Sequence, residues 1–102
     1  MENLNVNDAT QRTIQDTDVY KLAPHHRFQW EEAQESYVIL FPEGMVKLHG
    51  GAGEVLKRVN GQATVGDIVA ELKLAFPDAD GIEDDIFGMF DLAVGKAWLS
   101  KV

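Results

Sequence analysis

The sequence predicts an α+β fold of winged helix-turn-helix type, in which a three-stranded antiparallel sheet precedes three helices. Three observations carry this reading: apolar residues recur with a period of about two up to Leu48, the period lengthens to about 3.6 beyond it, and Gly or Pro marks the changes. At 102 residues there is room for one core.

Residues 1–19 are polar, with Leu4, Val6 and Ile14 in no helical or strand period, and read as a flexible leader to a domain spanning 20–102. His25, Arg27 and Gln29 alternate with His26, Phe28 and Trp30 as a first strand, and Glu31 to Ser36 form a polar turn. The β-branched and aromatic run Tyr37-Val38-Ile39-Leu40-Phe41 predicts a buried second strand. Pro42-Glu43-Gly44 turns it into a third strand, Met45 to Leu48.

His49-Gly50-Gly51 then breaks the sheet. A short helix over Ala52 to Val59 turns Val55, Leu56 and Val59 inward and stops at Asn60-Gly61. The second helix opens with Thr64 as N-cap and Asp67 at the capping-box position. It buries Val65, Ile68, Val69, Leu72 and Phe76, and Pro77 ends it. Asp80 is expected to cap a third helix, from Ile82 to about Ala97, whose first-turn acids Glu83, Asp84 and Asp85 suit the helix dipole. Trp98-Leu99 follows as a brief strand or a packed tail.

Composition excludes much chemistry. There is no cysteine, which removes disulfides, thiol nucleophiles, thiolate zinc sites and iron–sulfur clusters. No apolar run approaches the roughly 18 residues of a membrane span, and no signal peptide precedes the domain, so a cytoplasmic site is expected. Seventeen acidic against nine basic residues give a net charge of −8, which repels nucleic acid and anionic membrane and favours a partner carrying basic residues.

The motifs that could carry catalysis fail on their own terms. Aligning Gly81 with the glycine of a calcium loop puts Phe76 and Phe87 at its first and last ligand positions. His25-His26 are adjacent, so a strand would point them to opposite faces, and they read as a solvated pair; His49 reads as a local cap. Ser36 and Ser100 lie in no nucleophile elbow, Glu31-Glu32 and Asp84-Asp85 mark no cleft, and Gly50-Gly51-Ala52-Gly53 lacks a phosphate-loop fingerprint. The chain is therefore expected to be no enzyme and to need neither metal nor cofactor. The rival is a winged-helix DNA-binding regulator, but its recognition helix would carry Glu83, Asp84, Asp85 and Asp91 against Lys96 alone.

What remains is a surplus of apolar surface. Ile82, Ile86, Met89, Phe90, Ala93 and Ala97 make one stripe of the third helix, while Phe87, Leu92 and Val94 widen it beyond one face. A short edge strand beside that helix would offer backbone donors and acceptors to an extended peptide. Val46→Pro is then expected to weaken peptide binding, if the donor it deletes faces the open edge.

The motifs LFPEGMVKL, VNGQATVGDIVAEL and DDIFGMFDLAVGKAWL, over about Tyr20 to Val102, resemble the PqqD family, peptide chaperones of pyrroloquinoline quinone biosynthesis and prototypes of the RiPP recognition elements. His49 departs from the asparagine usual there. The resemblance implies binding of the precursor peptide PqqA and its presentation to PqqE, a radical S-adenosylmethionine enzyme that cross-links a glutamate and a tyrosine of that peptide. The cluster and radical chemistry then belong to the enzyme. Carried onto this chain, it implies Met45, Val46, Lys47, Leu48 and His49 on the strand side of the peptide, and Asp85, Phe87, Met89 and Leu92 on the helix side. A monomer is expected, with a dimer through the apolar helix as the competing arrangement. Family members fused to the enzyme PqqC offer a former linker as one origin of the leader.

Overall fold

The structure, a computed structural model, describes residues 13–102. The elements in chain order are β1 (Tyr20–Leu22), β2 (Arg27–Glu31), β3 (Ser36–Phe41), β4 (Gly44–Lys47), α1 (Ala52–Lys57), α2 (Val65–Ala75), α3 (Ile82–Gly95) and β5 (Leu99–Lys101). The predicted meander is present as an antiparallel sheet of order β2-β3-β4, and the three predicted helices follow it. The register aligns Phe28 with Ile39 and Ile39 with Val46. Phe28, Tyr37, Ile39, Phe41, Val46 and Leu48 therefore share the sheet face that packs on the core. Against it lie Val55 and Leu56 of α1, Ile68 and Leu72 of α2, and Ile86 and Phe90 of α3.

The chain ends depart from the sequence reading. Of the expected leader, residues 1–12 lie outside the described residues, but Ile14 is buried in the core and the segment after it is docked. The reason is the start of α2, where N–H groups lack intrahelical partners. Val65 N–H donates to the Asp18 carbonyl and Gly66 N–H to the Asp16 carbonyl, each at 2.9 Å. Thr64 and Asp67 supply the predicted capping box. A polar segment with one apolar anchor thus finds a fixed place without any period of its own. Beyond it, β1 pairs antiparallel with β5, so Trp98-Leu99 leads into a strand.

Asp18 is the buried centre of this junction. Its carboxylate accepts from Gln15 N–H at 2.9 Å, from the Tyr20 hydroxyl at 3.1 Å and from Lys101 Nζ at 3.1 Å. Burial pushes the carboxyl up, but the hydrogen bonds from Gln15, Lys101 and Tyr20 and the Lys101 charge outweigh it and hold it below 3.8. Tyr20 moves the other way: burial, then the Asp18 carboxylate that it bonds, push it up to about 12.

Four local expectations are corrected. His25 and His26 precede β2 in a turn, with His25 at φ 67°, and His26 stacks on Phe41 at 5.6 Å. Phe76 is not core: it lies past the last turn of α2 with non-helical φ −130° and ψ 68°, as the residue before a proline must avoid the helical region, and it is 41% exposed. The N-cap of α3 is Gly81 in the left-handed region at φ 68°, with no side-chain cap from Asp80. On α3, Phe87 is buried beside Ile86 and Phe90 instead of lying off the core stripe, because both α1 and α2 on the one hand and β5 on the other pack against this helix.

The end of α3 explains why the sequence extended it to Ala97. Trp98 N–H donates to the Ala93 carbonyl at 2.9 Å and Ala97 N–H to the Val94 carbonyl at 3.0 Å, the two bonds of a Schellman motif. Its left-handed position is Ala97, φ 64°, where glycine is usual, so the stop carries no glycine signal. Ala97→Gly is expected to raise stability by about 1 kcal/mol in urea unfolding, through relief of the Cβ clash. Asp18→Asn is expected to lower it by about 2 kcal/mol at neutral pH. Because the folded carboxyl lies below its ordinary 3.8, the stability it contributes is complete above that value and is lost as pH falls through the lower one. The gap between the two proteins in pH-dependent unfolding should therefore close in acid.

Candidate functional site

The site is built from the free edge of the sheet and the hollow next to it. Leu48 N–H donates to the Tyr37 carbonyl at 3.0 Å, which makes that pair a hydrogen-bonded one in the β3–β4 ladder. Bonded pairs alternate in antiparallel sheets, so Val46 bonds Ile39 while Met45 and Lys47 face outward with their N–H and C=O groups. No strand among the described residues pairs with that outer edge. The donor of Val46 thus points into the sheet, and Lys47 is the residue whose N–H an added strand would meet.

At the end of β4 the chain turns at His49 and Gly50 into α1, and a groove of about 600 Å³ opens between the helices. Ala52 and Val55 form one wall, Leu72 and Phe76 the second, and Ile82, Ile86 and Met89 the third. His49, Glu54 and Asp85 stand among these apolar walls as its charged or polar groups. The α1 wall is fixed by Arg58, whose Nη1 bonds Glu54 Oε1 at 2.9 Å and whose Nε lies 3.5 Å from Glu71 Oε2 on α2. Arg58 is largely buried, so this tie holds the α1–α2 angle more firmly than the exposed Lys73–Glu83 pair at 3.0 Å holds α2 to α3.

The nine residues assigned from the sequence divide between surface and core. Met45 is 43% exposed, Lys47 and His49 are exposed and Val46 is half-buried, all along the edge and its end. Asp85 and Met89 line the groove with His49, and Leu92, 48% exposed, follows them one turn on along the same face of α3. Leu48 and Phe87 are core side chains turned away from any ligand. Sequence reasoning missed Phe76, Ile82 and the α1 wall; the proline after Phe76 was the available signal that it leaves the helix before it can be buried.

Among the described residues no group of three or more His, Asp and Glu could hold a metal ion, and no helix is long and apolar enough to cross a membrane. His49 does not cap α1 through its ring; its carbonyl accepts from Ala52 N–H at 3.2 Å instead. The chemistry available is recognition: a row of backbone groups beside an apolar groove with acidic members.

Comparison with known proteins bears on what such a site serves. Residues 36–99 match the family model described as coenzyme PQQ synthesis protein D, PqqD. The PqqA binding protein of Stutzerimonas stutzeri is 46% identical over 86 residues, covering 84% of this chain and 94% of that protein. The PqqA binding protein of Acinetobacter baylyi is 42% identical over 95 residues, covering 89% and 96%. Among solved structures, the PqqD truncation of Methylobacterium extorquens PqqCD, a stand-alone RiPP recognition element, superposes with a TM-score of 0.71 at 30% identity over 87% of this chain and 96% of that one. The heterocyclase TruD shares the fold alone, with a TM-score of 0.63 at 23% identity over 83% of this chain and 12% of that one. A family model matched over more than half the chain, together with relatives aligned over nearly their whole length, makes this chain a member of the PqqD family.

Proposed function

We propose that this protein is a peptide-binding adaptor of pyrroloquinoline quinone biosynthesis, which captures the precursor peptide PqqA by strand addition and presents it to the radical enzyme PqqE. The single observation that carries the reading is the free outer edge of β4 meeting the apolar groove at His49. Backbone bonds from Met45 and Lys47 hold an extended chain with little regard for its sequence, and the groove selects its side chains. The relatives named as PqqA binding proteins support the choice of peptide.

Charge supports it as well. Asp85 and Glu54 at the groove, in a chain of net charge −8, attract a peptide with basic residues and speed its capture. The same charge disfavours DNA, since α3 carries Asp84, Asp85 and Asp91 on its exposed surface. In this reading the protein acts as a cytoplasmic monomer, performs no chemistry itself and binds no cofactor; Met89 and Leu92 of α3 and the edge residues from Met45 to His49 touch the peptide.

Titration of the isotope-labelled protein with synthetic PqqA is expected to shift the amide resonances of Met45, Lys47 and His49 together with those of Asp85 and Met89. Shifts restricted to the first half of α2 would rule out this groove. Two proline substitutions separate edge from ladder. Lys47→Pro removes an outward donor and should leave the protein folded while weakening PqqA binding about tenfold, the worth of one hydrogen bond at the upper end. Val46→Pro removes a bond to Ile39 and should instead destabilise the sheet, visible in thermal unfolding without peptide.

A further inference from the structure

A second hollow, of about 390 Å³, lies at the end of the sheet on the other side of the β4–α1 corner. It shares His49 and Glu54 with the groove, and Lys47, whose backbone faces the open edge, forms part of its wall. Its floor is a stack of rings. Tyr37 lies on Phe28 with centroids 4.9 Å apart at 17°, and Trp30 meets Tyr37 edge-on at 5.0 Å and 74°. Gly53 of α1 fixes that stack from behind, since a Cβ there would stand 2.5 Å from the Tyr37 ring.

On this rigid platform Trp30 remains 49% exposed, whereas the other tryptophan, Trp98, is 9% exposed. An indole held in place but left in water adds little to the stability of the monomer, because its transfer from water is incomplete. Rigid tryptophans of this kind anchor interfaces, as they bring a large apolar area with little ordering entropy left to lose. We infer that the Trp30 hollow is a second subsite of the peptide surface, taking an aromatic side chain of the bound peptide; this rests on the strand-addition reading.

The charges around the hollow decide the chemical class. Lys47 lines it, and Lys57 Nζ already sits 5.9 Å from the Tyr37 ring centroid, so an incoming ammonium or guanidinium meets two cations. A flat uncharged ring meets none of that repulsion and gains offset or edge-on contact with the indole. Continuity decides the occupant: a strand lying along Met45 to Lys47 passes His49 with the groove on one side and this hollow on the other.

Tryptophan emission and affinity test the subsite in one titration with synthetic PqqA. The unaltered protein should show an emission change that Trp30→Leu abolishes, with buried Trp98 as the internal control. Trp30→Leu should lower affinity about tenfold. Replacing each aromatic residue of the peptide by leucine in turn should reveal one whose loss costs the same factor against the unaltered protein and nothing further against Trp30→Leu. Unchanged affinity of Trp30→Leu, or losses that multiply for every peptide aromatic, would overturn the subsite. Amide shifts at Lys47 and His49 read the underlying proposal separately: present without a Trp30 effect, they leave strand addition standing and remove only the subsite, while their absence in the unaltered protein overturns both.

Discussion

The buried carboxylate of Asp18 is the constraint around which the two ends of the chain are joined. Removing such a group from water costs several kcal/mol unless its lone pairs are bonded, and here Gln15, Tyr20 and Lys101 bond them from three directions. The same residue's carbonyl receives a donor at the start of α2. One residue therefore fixes the N-terminal segment, the C-terminal strand β5 and the first turn of α2 relative to one another. Since β5 follows α3 through a tight Schellman turn, the position of α3, and with it the third wall of the groove, follows from that junction.

With α3 held from its C-terminal side and α1 tied to α2 through Arg58, the groove exists before any ligand arrives. The edge of β4 is equally prepared, because its inner groups are bonded to β3 and its outer ones have no strand partner among the described residues. A protein that captures an unstructured chain must offset the ordering entropy of that chain, and a surface that needs no ordering of its own reduces the total. Backbone bonding and apolar pockets divide the task. The edge supplies sequence-tolerant holding, while the groove and the Trp30 platform discriminate between side chains.

The fold was legible wherever periodicity and punctuation acted locally. Pro42 and Gly44 at the hairpin, Thr64 with Asp67 at the start of α2, and the apolar spacing of Ile68, Val69 and Leu72 each report interactions within a few residues, and each appears as read. The errors fall where the deciding partner lies far along the chain. Ile14 has no neighbours in sequence to announce its burial. Phe87 occupies a position that is off the stripe for a helix packed on one side and inside it for one packed on two. Ala97 ends a helix without the usual glycine because Trp98 must turn toward β1.

The sequence by itself determined the order and type of the elements, the acidic surface, the absence of thiol chemistry and the resemblance to a family, since composition and short-range patterns suffice for these. Only the tertiary structure decided which edge groups are open, that Leu48 and Phe87 are core while Met89 and Asp85 share a groove with His49, and that Trp30 stands on a fixed aromatic platform. The physical reason is that strand register and helix packing set orientation through contacts between distant residues. A one-residue change in register reverses which backbone donors face outward, and no local pattern records that choice.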